Sequence, residues 1–154
     1  METNSFDMKK YYENYSAIND EIFLGKEIVA LPQKYSENEY YYAKETIEFV
    51  KYCTQYQKDC SVTIAEQNDI EVRSLHSFDI WLPIVWVASN VLLPFAINMV
   101  SNYISEQKKG REDEKAQVEV SFVVRTAEGE KVLNYKGDAD TFKETFEKID
   151  INEL

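Results

Sequence analysis

Apolar residues recur at helical spacing in the first part of the chain. Met8, Tyr11, Tyr12, Tyr15, Ile18, Ile22 and Phe23 step by three and four, which predicts a helix near Phe6 to Leu24. Ser5 could cap its start and Gly25 its end. Lys26 to Leu31 reads as a short strand stopped by Pro32. Ser36-Glu-Asn-Glu39 has the spacing of a capping box, a hydroxyl followed three residues later by a carboxylate. It predicts a second helix running to about Lys58, with Tyr42, Ala43, Thr46/Ile47, Phe49/Val50, Cys53 and Tyr56 inward. Ser61–Ile64 and Ile70–Leu75 are β-branched stretches around a polar connector at Asn68-Asp69, the pattern of a hairpin.

Past residue 116 the period becomes two. Val118, Val120, Phe122 and Val124 alternate with Glu119, Ser121, Val123 and Arg125. A turn at Ala127–Glu130, with Gly129 at the left-handed position, returns the chain as a strand over Lys131–Lys136. Asp138 or Asp140 caps a last helix with Phe142, Phe146 and Ile149 on its apolar stripe. Lys143–Glu147 and Glu144–Lys148 are opposite-charge pairs on its outer side.

Between these regions lies Ile80–Ser105, which contains no Asp, Glu, Lys or Arg. It exceeds the roughly 20 apolar residues that a membrane span needs. Its flanks, with Lys108, Lys109 and Arg111 on one side, would orient such a span, and Trp81 and Tyr103 would sit at its interfaces. Its polar residues favour another reading. On a wheel of about 100° per residue, Asn90, Asn98, Ser101, Asn102 and Ser105 share roughly a third of the circumference. That pattern predicts the buried central helix of a globular domain, kinked at Pro94 or broken into two helices there. The Asn90 and Asn98 amides would then repair the carbonyl that Pro94 leaves unpaired, or Asn90, Asn98 and Asn102 would line a small polar pocket beside Trp86.

The expected fold class is therefore α+β in a single domain over residues 1–154. A Tyr-rich helical half covers about 1–60, and a sheet-plus-helix half covers about 61–154, with a charged linker at 106–116. A central apolar helix, a small antiparallel sheet from two hairpins and a C-terminal helix complete it.

Composition changes this picture in one respect. The 154 residues carry 17 Lys+Arg against 28 Asp+Glu, a net charge of −11. Such a chain repels a phosphate backbone, which argues against nonspecific nucleic-acid binding. The acids are spread along the chain rather than set in phosphate-like rows, which makes a DNA mimic the weaker reading. With 44% hydrophobic and 14% aromatic residues the chain can bury a core. Nine of its 11 tyrosines lie between Tyr11 and Tyr56. Tyrosine buries a ring and keeps a polar tip, so the cluster reads as packing with a wet rim; a ligand-stacking cluster is the sharper alternative.

Candidate chemistry is sparse. The lone His76 stands near Ser74 and Asp79, but a catalytic triad is a geometry and not a local string. Cys53 and Cys60 have no metal or redox spacing, and Cys53 falls among apolar positions. Glu112-Asp-Glu114 lacks the spacing of a calcium loop. The GxGxxG, P-loop, GxSxG and HExxH motifs are absent. No catalytic residue, metal site or cofactor is assigned. The N-terminus lacks the pattern of a secretory signal, so a reduced cytoplasmic setting is expected, with a single inner-membrane span as the alternative.

One resemblance adds to this. Leu92–Ile104, Lys108–Arg111, Val118–Val124 and Tyr135–Phe142 follow the order apolar helix, basic linker, hairpin and helix. That order resembles small accessory components found beside effector modules in bacterial conflict systems. The resemblance implies a non-enzymatic adaptor or regulator and carries over no site residues. The functional expectation is a bacterial protein-interaction module: an adaptor, regulator or neutralising partner for a protein with a basic surface, with a homodimer as a further option. The alternatives are a membrane-associated effector component and a small-ligand sensor using Asn90, Asn98, Asn102 and Trp86.

Overall fold

The computed structural model describes residues 3–56, 61–65, 71–73, 80–110 and 115–147. Strand β1 (Thr3–Ser5) leads into a single helical turn, α1 (Met8–Tyr11). The Asp7 carboxylate caps that turn, accepting the Lys10 N–H at 3.1 Å. The helix expected to continue to Leu24 ends here. Asn14, Ser16, Asn19 and Asp20 compete with the helix ladder for backbone hydrogen bonds. Asn14 donates to the Glu37 carbonyl and Asn19 to that of Ser16. Only a 3-10 turn at Asp20–Phe23 forms, followed by Gly25 at φ +72°.

Strand β2 (Ile28–Ala30) lies where expected. The predicted capping box is instead a tight turn joining β3 (Gln33–Ser36) to β4 (Glu39–Ala43). The aromatic run Tyr40-Tyr41-Tyr42 suits a pleated, buried surface better than the first turn of a helix. Helix α2 (Lys44–Tyr56) starts only after it. Strands β5 (Val62–Ile64) and β6 (Val72–Arg73) both form, but the expected hairpin between them does not. β5 pairs with β2 and β6 with β4, each in parallel. The Asn68-Asp69 connector lies outside the described residues.

The uncharged run is not one helix. It is strand β7 (Ile80–Val87), buried along its whole length, then helix α3 (Leu93–Gln107). A strand covered on both faces loses its polar alternation, which is why it reads as helix or membrane. Pro83 falls where the β7–β8 register shifts, between Leu82 and Val85, a place that tolerates a missing N–H. Pro94 stands in the first turn of α3, where no N–H is needed, so there is no kink to repair. The polar stripe itself is real: Asn98, Asn102 and Ser105 are exposed on α3 while Ala96, Val100 and Tyr103 are buried. Among the described residues no helix is long and apolar enough to cross a membrane. The charged stretch after α3 is not wholly linker either. Lys108 is buried and donates to Asp140 at 2.8 Å.

The chain finishes with β8 (Gln117–Thr126), β9 (Gly129–Asp138), a 3-10 turn at Ala139–Thr141 and α4 (Phe142–Glu147). This hairpin and helix match expectation, including Gly129 at φ +111° and the Phe142/Phe146 stripe. Ile149, Lys148 and the Glu147 side chain lie outside what is described.

The fold is α+β, but the main sheet is mixed rather than purely antiparallel. Its six strands run in the order β1-β9-β8-β7-β2-β5, with β7–β8 and β2–β5 parallel. β3, β4 and β6 make a second, three-stranded sheet. Residues of the main sheet alternate between two cores. Ile28, Ala30, Leu82, Val85, Phe122 and Leu133 pack under α2, α3 and α4. Val29, Leu31, Ile84, Trp86 and Val123 face the other way, onto Tyr12, Ile18, Phe23 and Tyr40.

Candidate functional site

Irregular chain covers this second face, so the face depends on side chains to satisfy backbone groups. The Tyr12 hydroxyl donates to the Pro32 carbonyl at 2.7 Å, and Tyr40 donates to the Tyr11 carbonyl at 2.7 Å. The Tyr11 hydroxyl accepts the Lys34 N–H at 2.8 Å. Their rings interlock, with Tyr11–Tyr12 centroids 4.7 Å apart and Tyr12–Tyr40 5.6 Å apart. Burial pushes the Tyr12 hydroxyl well above its ordinary pKa and raises Tyr11, so both stay protonated across the physiological range.

The cover is incomplete. Between the Tyr11 turn and the middle of the sheet lies a cleft of about 370 Å³. Phe6, Tyr11 and Gln33 form one wall; Trp81, Pro83 and Ile84 form another. Glu119, Ser121, Val123 and Val132 make the floor. The register of β7 and β8 places Glu119 opposite Trp81. Gln33 Oε1 is buried at this site with no hydrogen-bond partner. The Ser121 hydroxyl accepts from Asn134 Nδ2 at 2.5 Å. Lys136 stands opposite Glu119 on β9 and is exposed. Among the described lining residues there is no Lys or Arg. The cleft therefore offers aromatic faces, one carboxylate and one orphaned acceptor, a chemistry suited to a cation with hydrogen bonds to donate.

The residues expected to form a pocket are not brought together. Asn90 lies in the turn before α3, its carbonyl accepting the Leu93 N–H at 3.3 Å. Asn98 and Asn102 are on the outer surface of α3. Trp86 is 1% exposed and points to the opposite side of the sheet, against Phe23. His76, Cys60 and Glu112–Glu114 lie outside the described residues. Cys53 is buried in the helix-side core, and burial pushes its thiol up to about 12. Among the described residues no cluster of three His, Cys, Asp or Glu could hold a metal ion.

Sequence reasoning missed the cleft because four separate stretches build it. One signal was present: Val123 interrupts the otherwise polar outward side of β8, which marks that face as covered. No protein-family model, curated protein or solved structure matches the chain.

Proposed function

We propose that the chain is a protein-interaction module working inside a bacterial cell, as an adaptor, regulator or neutralising partner. It binds a partner with a basic surface through the cleft side of the sheet. The observation that carries this reading is the open cleft, with Glu119 on its floor and the unpartnered Gln33 Oε1 in its wall. The net charge of −11 supports it, since long-range attraction speeds encounter with a basic surface and weakens as salt rises. The helix side of the sheet is packed under α2, α3 and α4, and the pocket that remains there is lined by Lys108 and Lys143, which suits a basic partner less well.

Selection of peptides from a random display library on the purified chain tests this. The expected result is enrichment of Lys- and Arg-containing peptides whose binding falls with salt and is lost in Glu119→Lys. Peptides without basic residues, or binding untouched by Glu119→Lys, would overturn it.

A further inference from the structure

The chain shows twice how it accommodates an arginine. The Arg73 guanidinium carbon lies 5.2 Å from the ring centroids of both Tyr35 and Tyr41. Its Nε and Nη2 donate to Glu71 Oε1 at 2.9 and 2.7 Å. The Arg125 guanidinium carbon lies 4.9 Å from the Trp86 centroid and 5.6 Å from that of Phe23. Its Nε donates to Glu130 Oε1 at 3.2 Å. Each receptor is a pair of aromatic rings with one carboxylate beside them. That set fits a planar, delocalised cation, which stacks on a ring while its edge donates hydrogen bonds.

The cleft repeats the set a third time. Phe6, Tyr11 and Trp81 supply rings and Glu119 the carboxylate, with no arginine among the described lining residues. Phe6 and Tyr11 already pack together, tilted by 44° with centroids 5.2 Å apart. The Gln33 side chain stands beside them in the wall. We infer that the cleft is a receptor for an arginine side chain presented by a partner protein. This rests on the binding reading above and deepens it. The guanidinium lies against the rings and gives one edge to Glu119, and a lysine ammonium, lacking the planar face, fits less well.

The chain's two tryptophans make the test direct. Trp81 lines the cleft and Trp86 is buried away from α3, so their indole N–H signals separate binding from unfolding. Labelled protein is titrated with N-acetyl-arginine amide, N-acetyl-lysine amide and the neutral isostere N-acetyl-citrulline amide. The arginine probe should shift the Trp81 indole and the Glu119 and Ser121 amides saturably. The lysine probe should bind at least about fivefold more weakly, and citrulline should shift nothing. Glu119→Gln should weaken the arginine probe about tenfold while the Trp86 signal keeps its place.

An unmoved Trp81 signal, or an equal response to lysine or citrulline, overturns the inference. If the arginine probe fails while display-selected basic peptides still move Trp81, the interaction reading stands and the guanidinium receptor falls. If those peptides fail too, both fall.

Discussion

The two faces of the main sheet are covered by different kinds of chain. On one face lie α2, α3 and α4, whose backbones satisfy their own hydrogen bonds. Their contribution to the core is apolar bulk: Phe49, Phe142 and Phe146, with Phe122–Phe146 centroids 5.4 Å apart. On the other face the chain from Phe6 to Pro32 forms one helical turn, one 3-10 turn and one short strand. Its carbonyls need outside donors, and Tyr12 and Tyr40 supply two of them. The concentration of tyrosine in this part of the chain follows from that need. A phenylalanine would fill the same volume and leave the backbone unpaired. The face closed by helices keeps a pocket lined by Lys108 and Lys143, and the face closed by hydroxyls keeps the cleft with Glu119.

If that contrast is right, the two faces respond to different insults. The largest effect belongs to volume on the helix side. Phe122→Ala, at a fully buried position, should cost about 3–5 kcal/mol in urea denaturation. On the tyrosine side a single oxygen should matter. Tyr12→Phe strands the buried Pro32 carbonyl and should cost about 1–3 kcal/mol. Tyr103→Phe, under the helices, loses only a 3.5 Å contact to the exposed Glu48 and should stay within about 0.5 kcal/mol. Equal losses for the two tyrosines would erase the distinction.

Alkali acts on both faces. Burial raises Cys53 from its ordinary 9.0 to about 12, and it raises Tyr12 and Tyr103 in the same direction. The unfolded chain therefore gives up these protons first. Stability is whole below about pH 9 and falls as pH climbs toward 12, by up to about 1.4 kcal/mol per pH unit for Cys53. Cys53→Ala should flatten that slope, read from urea midpoints at each pH. A small effect is expected at Pro94→Ala. Pro94 is exposed in the first turn of α3, so the loss should be under about 1 kcal/mol, arising from the unfolded chain. A Pro lodged in mid-helix would respond with a gain.

Legibility in the sequence followed the range of the signal. The β8–β9 hairpin and α4 were readable because alternation, a Gly turn and a stripe of Phe are all local. The β7 strand was not, because burial on both faces removed the polar residues that would have shown its period. Tyr11, Tyr12, Tyr15 and Ile18 had helical spacing for a reason unrelated to a helix: a folded turn presents them to one sheet face. The cleft was the least legible feature. Gln33, Trp81 and Glu119 are far apart in sequence, and only the β7–β8 pairing and the turn above it bring them together.

The pairing of β1 with β9 joins the first described strand to the last, Ser5 opposite Lys131. β7, α3, β8 and β9 follow one another along the chain and can assemble from near neighbours. β1 must close the longest loop in the molecule, at the greatest entropic cost, for only three paired residues. Its pairing is expected to form last, and its backbone amides to exchange with solvent soonest. Phe6 follows β1 directly, its N–H bonded to the Glu130 carbonyl at 2.9 Å. The rim of the cleft is thereby tied to the latest step of folding, and a partner that fills the cleft would hold that loop shut.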